Sequence, residues 1–113
     1  MTIRFRLNTI STLVCLLSVS LWAQASPGDI AKQGLGDDVA PCSSCHGAHG
    51  QGNKAAGFPR LAGLGAPYLE AQLNDFASGA RENAVMKPIA NALSADQRRA
   101  MARYYSQLRS EPS

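Results

Sequence analysis

Apolar residues recur at helical spacing in two long segments of the chain, and nowhere do they alternate convincingly with the period of a β-strand. The first of these segments is APYLEAQLNDFASG, residues 66–79. Pro67 lies near its first helical position and Gly79 just beyond its last, where these residue types favour helix ends. Its predicted buried side consists of Tyr68, Leu69, Gln72, Leu73 and Phe76. The pattern therefore predicts an amphipathic helix.

The second segment is C-terminal and begins at Ser94, which has the spacing of a capping box with Gln97. Arginines occupy much of the outer surface of the helix that follows. The large side chains that share its inner side are Met101, Tyr104, Tyr105 and Leu108. We therefore expect the chain to end in a helix that buries one stripe and exposes the rest.

The segments between and before these helices carry weaker patterns. Residues 28–35 are expected to form a short helix that ends at the glycines of positions 34 and 36. Residues 46–65 are rich in glycine, which predicts a long loop wrapped around something, because a free loop of this length would be disordered. Residues 80–93, ARENAVMKPIANAL, are expected to be irregular. The predicted class is all-α, with a few short helices and one long loop.

Residues 1–25 follow the pattern of a secretory signal peptide. Arg4 and Arg6 precede an apolar run from about Ile10 to Trp22, and an A-Q-A triplet ends the pattern at position 25. A helix that crosses a bilayer needs about 20 apolar residues, so an uncleaved membrane anchor is the less favoured alternative. The interpretation is a signal peptide over 1–25, a domain over 26–113, and export to the periplasm.

Removal of the signal peptide changes the charge and the cysteine content. The formal net charge of the 113-residue chain is +3, and loss of Arg4 and Arg6 leaves the domain nearly neutral. No basic surface for nucleic acid is therefore expected. Cys15 would leave with the signal peptide, and the mature form is expected to have no membrane span. The domain is small and poor in large apolar residues, which indicates that a disulfide, a metal or a cofactor completes its interior.

The segment PCSSCHGAHG, residues 41–50, holds two of the three cysteines and both histidines of the chain. Within it, CSSCH has the C-x-x-C-H spacing of a c-type haem attachment sequence. Cysteines three positions apart on a helical turn face the same way, so Cys42 and Cys45 can both bond one edge of a haem. His46 then points its imidazole at the iron. The motif predicts one covalently bound haem.

Two other kinds of site use the same residue types. A zinc site of Cys42, Cys45, His46 and His49 has suitable ligands, yet structural zinc sites usually join two distant segments and these four residues come from one. A redox disulfide between the two cysteines would need a βαβ setting, of which the sequence shows no sign. Haem attachment is the favoured interpretation.

A methionine is expected to be the second axial ligand of the iron, and Met86 and Met101 are the candidates in the domain. Met101 lies on the predicted buried stripe of the last helix, where methionine is ordinary core packing. Met86 lies in the segment stiffened by Pro88, which can bring the sulfur to the far face of the haem. His49 follows His46 too closely to reach across. We therefore favour a His46/Met86 pair, an arrangement used for electron transfer.

Five segments of the chain resemble the small class I cytochromes c of bacteria, namely single-haem proteins of the c-553 kind and the individual halves of dihaem cytochromes c. They cover essentially the whole domain in order: PCSSCHGAHGQG, FPRLAG, YLEAQLNDFASGAREN, MKPIANALS and MARYYSQL. The resemblance implies the class I fold, in which short helices surround the haem and the first and last helices cross. That crossing would bring the region of Gly34 and Leu35 against Tyr104 and Tyr105.

The resemblance also implies roles for individual residues. Cys42 and Cys45 would form the thioether bonds to haem c, with His46 and Met86 as the iron ligands. The carbonyl of Pro59, in FPRLAG, would accept a hydrogen bond from the free N–H of the histidine, which orients the ring and makes it a better donor.

These expectations describe a monomeric periplasmic electron carrier with one haem, which exchanges electrons with redox proteins and is not an enzyme. Lys54, Arg60 and Lys87 flank the motif segments, and they are either docking or haem-carboxylate contacts or ordinary solvated charges. One alternative is a haem subunit of a larger dehydrogenase or oxidase complex. Another is a haem sensor or peroxidase whose sixth ligand is labile.

Overall fold

A computed structural model of the chain describes residue 2 and residues 24–109. The predicted signal peptide over 1–25 lies almost wholly outside the described residues, and so does Cys15. Within the described part, β-type pairing of the backbone is limited to two isolated antiparallel bridges. The predicted all-α class is therefore confirmed. The helices are, in order, α1 (Pro27–Gln33), α2 (Ser43–His46), α3 (Ala66–Ser78), α4 (Met86–Ala92) and α5 (Ala95–Gln107).

The two long helices begin and end where their sequence signals predict. Helix α3 has a proline in its first turn and ends at Gly79, whose φ of 84° is a left-handed conformation that suits glycine. At the start of α5 the Ser94 hydroxyl accepts a hydrogen bond from the Gln97 amide at 3.1 Å. The Gln97 side chain in turn accepts one from the Ser94 amide at 2.8 Å. The reciprocal capping box fixes where α5 begins.

Helix α1 begins one residue before its predicted range of 28–35 and ends two residues short of the end of that range, because Ser26 caps its start and Gly34 ends it. The Ser26 hydroxyl accepts a hydrogen bond from the Asp29 amide at 3.1 Å, and Gly34 ends the helix with a φ of 78°. The helix packs on α5, which confirms the predicted pairing of the first and last helices.

The detail of that pairing differs from the prediction. A Cβ added at Gly28 would lie 3.5 Å from the ring of Tyr104, so Gly28 rather than Gly34 faces this side chain. Gly34 instead faces the backbone at Val39, with which Leu35 forms one of the two isolated bridges. Leu35 still packs against the core cluster that contains Tyr105, as predicted for this region.

The prediction that residues 80–93 are irregular is wrong, because helix α4 occupies half of this segment. Pro88 is the third residue of the helix, where the missing N–H would have no partner within the helix in any case. The side-chain oxygen of Asn83 accepts hydrogen bonds from the amides of Val85 at 3.0 Å and Met86 at 2.9 Å. Asn83 therefore satisfies the first turn, and Pro88 is compatible with a helix at this position.

The core is small and lies where α1 and α3 meet α5. Its residues are buried to 7% relative exposure or less, and they are Ile30, Ala31, Val39, Leu69, Leu93, Met101, Ala102 and Tyr105. The expectation that Tyr68 is buried is wrong, since it is 55% exposed. Of the predicted stripe of α3, Leu69 alone is buried, and the whole stripe lines a cavity instead. None of the described helices is both long and apolar enough to cross a membrane.

Candidate functional site

Helix α2 is a single turn that places the two cysteines and the histidine of the CSSCH motif. Cys42 stands at its N-terminus with helical φ and ψ of −57° and −37°. The His46 amide donates to the Cys42 carbonyl at 2.9 Å, which closes the turn. Residues three apart on such a turn lie on one face, so Cys42 and Cys45 point to the same side. Gly47, with a φ of 89°, ends the turn and begins the loop.

The imidazole of His46 is buried, at 7% exposure, and its orientation is fixed on one side by the loop. Its Nδ1 lies 2.8 Å from the carbonyl oxygen of Pro59. A carbonyl only accepts, so Nδ1 carries the proton and Nε2 keeps its lone pair. The ring of Phe58 packs edge-on against the imidazole, with the ring centroids 6.2 Å apart. The histidine is therefore held in the tautomer that a metal ligand requires.

The loop reaches His46 closely because of a glycine at position 52. The Gly52 amide donates to the His46 carbonyl at 2.7 Å, and its φ of 77° is in the left-handed region. A Cβ at this position would lie 2.6 Å from the backbone nitrogen of Arg60 and 2.7 Å from the carbonyl carbon of Pro59. Next to Gly52, an isolated antiparallel bridge between Asn53 and Phe58 joins two segments of the loop. Glycine is therefore required where the loop brings Pro59 to the histidine.

A cavity of about 320 Å³ lies between α2, the loop, α3, α4 and α5. Its volume falls in the range of roughly 300–1,000 Å³ that is usual for small-molecule and cofactor sites. All the residues predicted for the site lie on its wall: Cys42, Cys45, His46, Pro59 and Met86. Met101 lies on the wall too, but it is buried in the core at 2% exposure. His49 is exposed and is not among the lining residues.

The two cysteines are free thiols in the structure, and no disulfide joins them. Burial raises the pKa of the Cys42 thiol above its ordinary value, and the Tyr105 hydroxyl beside it opposes this rise in part. A raised pKa disfavours the thiolate that a zinc ligand or a redox nucleophile needs. Among the described residues, no group of three or more His, Cys, Asp and Glu side chains is placed to hold a metal ion.

The wall of the cavity suits a haem in its chemistry. Most of the lining is apolar, which favours burial of a large flat macrocycle. The paired thiols, the imidazole and the methionine sulfur are the donor types found in c-type haem sites. The described lining residues that carry a full charge near neutral pH are two arginines, at positions 60 and 81, and haem carries two carboxylate side chains. The residues present therefore fit this group.

Three residues of the site have roles that the sequence reasoning missed. Phe58 packs against the imidazole and directly precedes Pro59, so the FPRLAG segment carries two of the contacts to His46. Asn83 precedes α4 by three residues, a spacing that resembles that of a helix cap and offered a signal for its role. The Tyr105 hydroxyl neighbours the Cys42 thiol, and no spacing along the chain links these two positions.

A comparison with protein families finds one match, to the model described as cytochrome c, over residues 36–109. Among curated proteins the chain is similar to the thiosulfate dehydrogenase electron acceptor of Thiomonas intermedia (strain K12). The two are 47% identical over 106 residues, which is 92% of this chain and 44% of that protein. The chain therefore spans less than half of the length of this relative.

Two solved structures are similar in fold as well as in sequence. Cytochrome c4 of Acidithiobacillus ferrooxidans superposes with a TM-score of 0.67 at 37% identity, over 73% of this chain and 48% of that one. Thiosulfate dehydrogenase (TsdBA) of Marichromatium purpuratum superposes with a TM-score of 0.69 at 37% identity, over 74% of this chain and 18% of that one. In both cases the match spans most of this chain and less than half of the other.

Proposed function

The chain belongs to the cytochrome c family, and on that premise we propose that it is a class I cytochrome that carries single electrons between redox proteins in the periplasm. Its cofactor is a covalently bound haem c. The observation that carries the proposal is the cavity itself, whose wall brings Cys42, Cys45, His46 and Met86 together although Met86 is forty positions away from His46.

Each of these side chains has a role that follows from its chemistry. Cys42 and Cys45 supply two thiols on one face of α2 for two thioether bonds. His46 offers Nε2 to the iron, because the Pro59 carbonyl holds the proton on Nδ1. Met86 presents a soft thioether sulfur from the first turn of α4. The apolar residues of α3 and α5 keep water away from the centre of the cavity.

Haem iron supplies one-electron redox chemistry, and histidine with methionine is the axial pair of electron-transfer cytochromes, which raises the reduction potential. With His46 and Met86 both bound to it, the iron would have no open position for a substrate. We therefore propose a carrier and not an enzyme, and this choice depends on Met86.

The partners follow from the relatives in part. The similar protein of Thiomonas intermedia is named as the electron acceptor of a thiosulfate dehydrogenase, and a thiosulfate dehydrogenase is among the similar structures. We propose an enzyme of this kind as an electron donor to the chain. The same similarity supports the alternative of a haem subunit within a larger dehydrogenase complex. An export signal over residues 1–25 and a monomeric mature form remain part of the proposal.

The test is a pair of methionine variants, Met86→Leu and Met101→Leu, measured on protein purified from the periplasm. An alkaline pyridine spectrum should show one covalent haem for each chain in all three proteins. The ferric methionine-to-iron band in the near infrared should be present in the native protein and in Met101→Leu, and absent from Met86→Leu. A native protein without covalent haem contradicts the proposal entirely. Loss of the band in Met101→Leu alone would assign the ligand to Met101.

The donor is tested by stopped-flow mixing of the oxidised protein with a reduced thiosulfate dehydrogenase. Rapid reduction that saturates with protein concentration is expected for a free carrier. Co-purification of the two proteins as a stable complex at low concentration would instead identify the chain as a resident subunit.

A further inference from the structure

A groove on the exposed side of the glycine-rich loop carries basic side chains and no acidic ones. Its volume is about 500 Å³, and its lining residues are Gln51, Lys54, Gly57, Phe58, Pro59 and Arg60. Residues 46–65 contain no Asp or Glu, so Lys54 and Arg60 have no acidic neighbour along this segment. The described ion pairs of the molecule all involve Arg99 instead. The groove is therefore a local excess of positive charge on a domain that is nearly neutral.

Gln51 adds a neutral donor to the groove, and the backbone fixes the direction of its side chain. The side-chain oxygen accepts a hydrogen bond from the His49 amide at 2.9 Å. Because this oxygen is the atom that accepts, the free end of the carboxamide is its NH₂ group, and the described hydrogen bonds include none from it. The carboxamide also packs against Gly47, where an added Cβ would overlap it. The groove therefore combines a positioned NH₂ donor with an ammonium and a guanidinium.

These three groups are complementary to an anion that has several oxygen atoms. The Arg60 guanidinium is a planar fork of donors, the Lys54 ammonium is a compact point charge, and neither can accept a hydrogen bond. Hydrogen bonds from such cations to an oxyanion are about twice as strong as those between neutral groups. A halide ion has no separate oxygen atoms to share among three donors. The chemistry of the groove therefore fits a divalent oxyanion better than a halide.

The groove and the haem cavity are separated by one segment of chain. Residues 57–60 line both of them. Within this shared wall the Phe58 ring packs edge-on against His46, and the Pro59 carbonyl bonds its Nδ1 at 2.8 Å. A charge in the groove is thus one layer of residues away from the histidine side of the cavity, and protein screens charge less than water does. A bound anion should therefore stabilise ferric iron relative to ferrous iron.

We propose that the groove of Gln51, Lys54 and Arg60 binds a divalent oxyanion, and that the bound anion lowers the reduction potential of the haem. The effect on the potential rests on the proposed function, whereas the binding itself does not. By linkage, the ferric protein binds the anion more tightly than the ferrous protein by the same factor by which the anion shifts the redox equilibrium. The driving force for electron transfer then varies with the concentration of such anions around the protein.

The test uses inorganic sulfate as the probe, added to the haem-loaded protein while chloride is withdrawn to keep the ionic strength constant. The NMR signals of the Gln51 and Lys54 amides should shift and saturate. A redox titration along the same series should show a two- to fourfold shift of the redox equilibrium towards the ferric form, or about 20–35 mV for a one-electron couple. Both responses should saturate at the same sulfate concentration.

Lys54→Gln is the main variant, because Lys54 lines the groove and not the haem cavity. We expect its affinity for sulfate to fall three- to tenfold. Gln51→Leu removes the positioned NH₂ group and keeps the charge, so its affinity should fall about two- to threefold. Lys54→Arg should recover most of the affinity lost in Lys54→Gln. The matched control is Lys32→Gln, which removes the same charge from an exposed position on α1 and should bind sulfate as the native protein does.

Equal responses to sulfate and to chloride would mean that ionic screening alone acts, and this would overturn the site. Equal sulfate affinities of Lys54→Gln and Lys32→Gln would overturn it as well. Saturable NMR shifts with an unchanged potential would overturn the coupling to the haem. The haem content of each preparation is measured first by its pyridine spectrum. A native protein without haem contradicts the proposed function, whereas a haem-loaded protein that does not bind sulfate contradicts only the groove.

Discussion

His46 is fixed by hydrogen bonds from a glycine-rich loop, whereas Met86 is presented by the end of a short helix that is secured at a distance. The histidine side of the cavity comprises α2 and residues 47–65. Here the ring bonds to Pro59 at 2.8 Å, and the Gly50 carbonyl accepts from the amides of Leu61 and Ala62 at 2.8 and 2.9 Å. The backbone itself therefore forms the support.

The methionine side comprises residues 80–93, and side-chain hydrogen bonds hold both ends of its helix. Asn83 bonds the first amides of α4. The guanidinium of Arg98 donates to the carbonyls of Ala90 at 3.0 Å and Leu93 at 2.6 Å, and so ties the other end of α4 to α5. The difference shows how one cavity combines a support built mainly from loop backbone with one built mainly from side chains. Four variants test this difference between the two sides, in order from the largest expected effect to the smallest.

Gly52→Ala should damage the histidine side most. The change places a methyl group 2.6 Å from the backbone nitrogen of Arg60 at a φ of 77°, so both strain and a clash with backbone atoms oppose it. We expect the free energy of unfolding to fall by about 3 kcal/mol, as measured by denaturant unfolding of the haem-loaded protein. Gly57→Ala is the control, since its φ of 81° is similar and no atom lies within 4 Å of the added group. Its loss should be about 1 kcal/mol, and equal losses would refute the role of close approach.

Arg98→Met should loosen the methionine side. The variant keeps most of the side chain but leaves the carbonyls of Ala90 and Leu93 without their donor, which should destabilise the protein by about 2 kcal/mol. The methionine-to-iron band should also be lost at a lower temperature than in the native protein. Arg99→Met is the control, because its ion pairs with Glu70 and Asp96 are at the surface and should contribute less than about 1 kcal/mol. A similar loss in both variants would mean that α4 does not depend on Arg98.

Asn83→Ala tests the start of α4. Loss of the bonds to the amides of Val85 and Met86 should lower the free energy of unfolding by about 1 kcal/mol, the usual effect of removing a cap. Hydrogen exchange should rise at these two amides and remain unchanged at the Gly52 amide on the histidine side. Uniform acceleration across the domain would show that the two sides do not open separately.

Tyr105→Phe should have the smallest effect at neutral pH and a distinct one in alkali. Burial raises the pKa of Tyr105 above its ordinary value of 10.0. An acid that holds its proton more tightly in the folded state contributes stability below its unfolded pKa, and this contribution is lost as the pH rises beyond it. The native protein should therefore lose stability above about pH 10. The variant should lose less over the same interval, and parallel curves for the two proteins would contradict this account.

The parts of the molecule that the sequence predicts well are those in which short spacing decides the structure. The C-x-x-C-H motif occupies one helical turn, and the capping box of Ser94 and Gln97 needs only residues three apart. The ends of α3 follow from a proline and a glycine whose conformational preferences are intrinsic. In each case the physical cause lies within a few residues along the chain, so the sequence alone predicts the structure.

The parts that the sequence predicts poorly depend on contacts or surroundings that no local spacing along the chain specifies. The expectation that residues 80–93 are irregular missed that Asn83 bonds the Met86 amide at the start of a helix. Pro88 then lies in the first turn of that helix, where proline is tolerated. Tyr68 fits the apolar stripe of α3, yet it lies at the mouth of a cavity, which periodicity does not reveal. The Arg81 side chain donates a hydrogen bond to Gln72, nine positions away, and no local sequence pattern predicts this contact.

Tyr105 packs next to the attachment motif, and this has a consequence for the order in which the chain is made. A Cβ at Gly50 would lie 2.8 Å from the Tyr105 ring, whose hydroxyl also neighbours Cys42, so the last helix covers both the loop and a thiol. Chains emerge with the N-terminus first. The attachment motif therefore leaves the ribosome before the helix that packs against it. The order of residues in this chain is also a workable order of assembly.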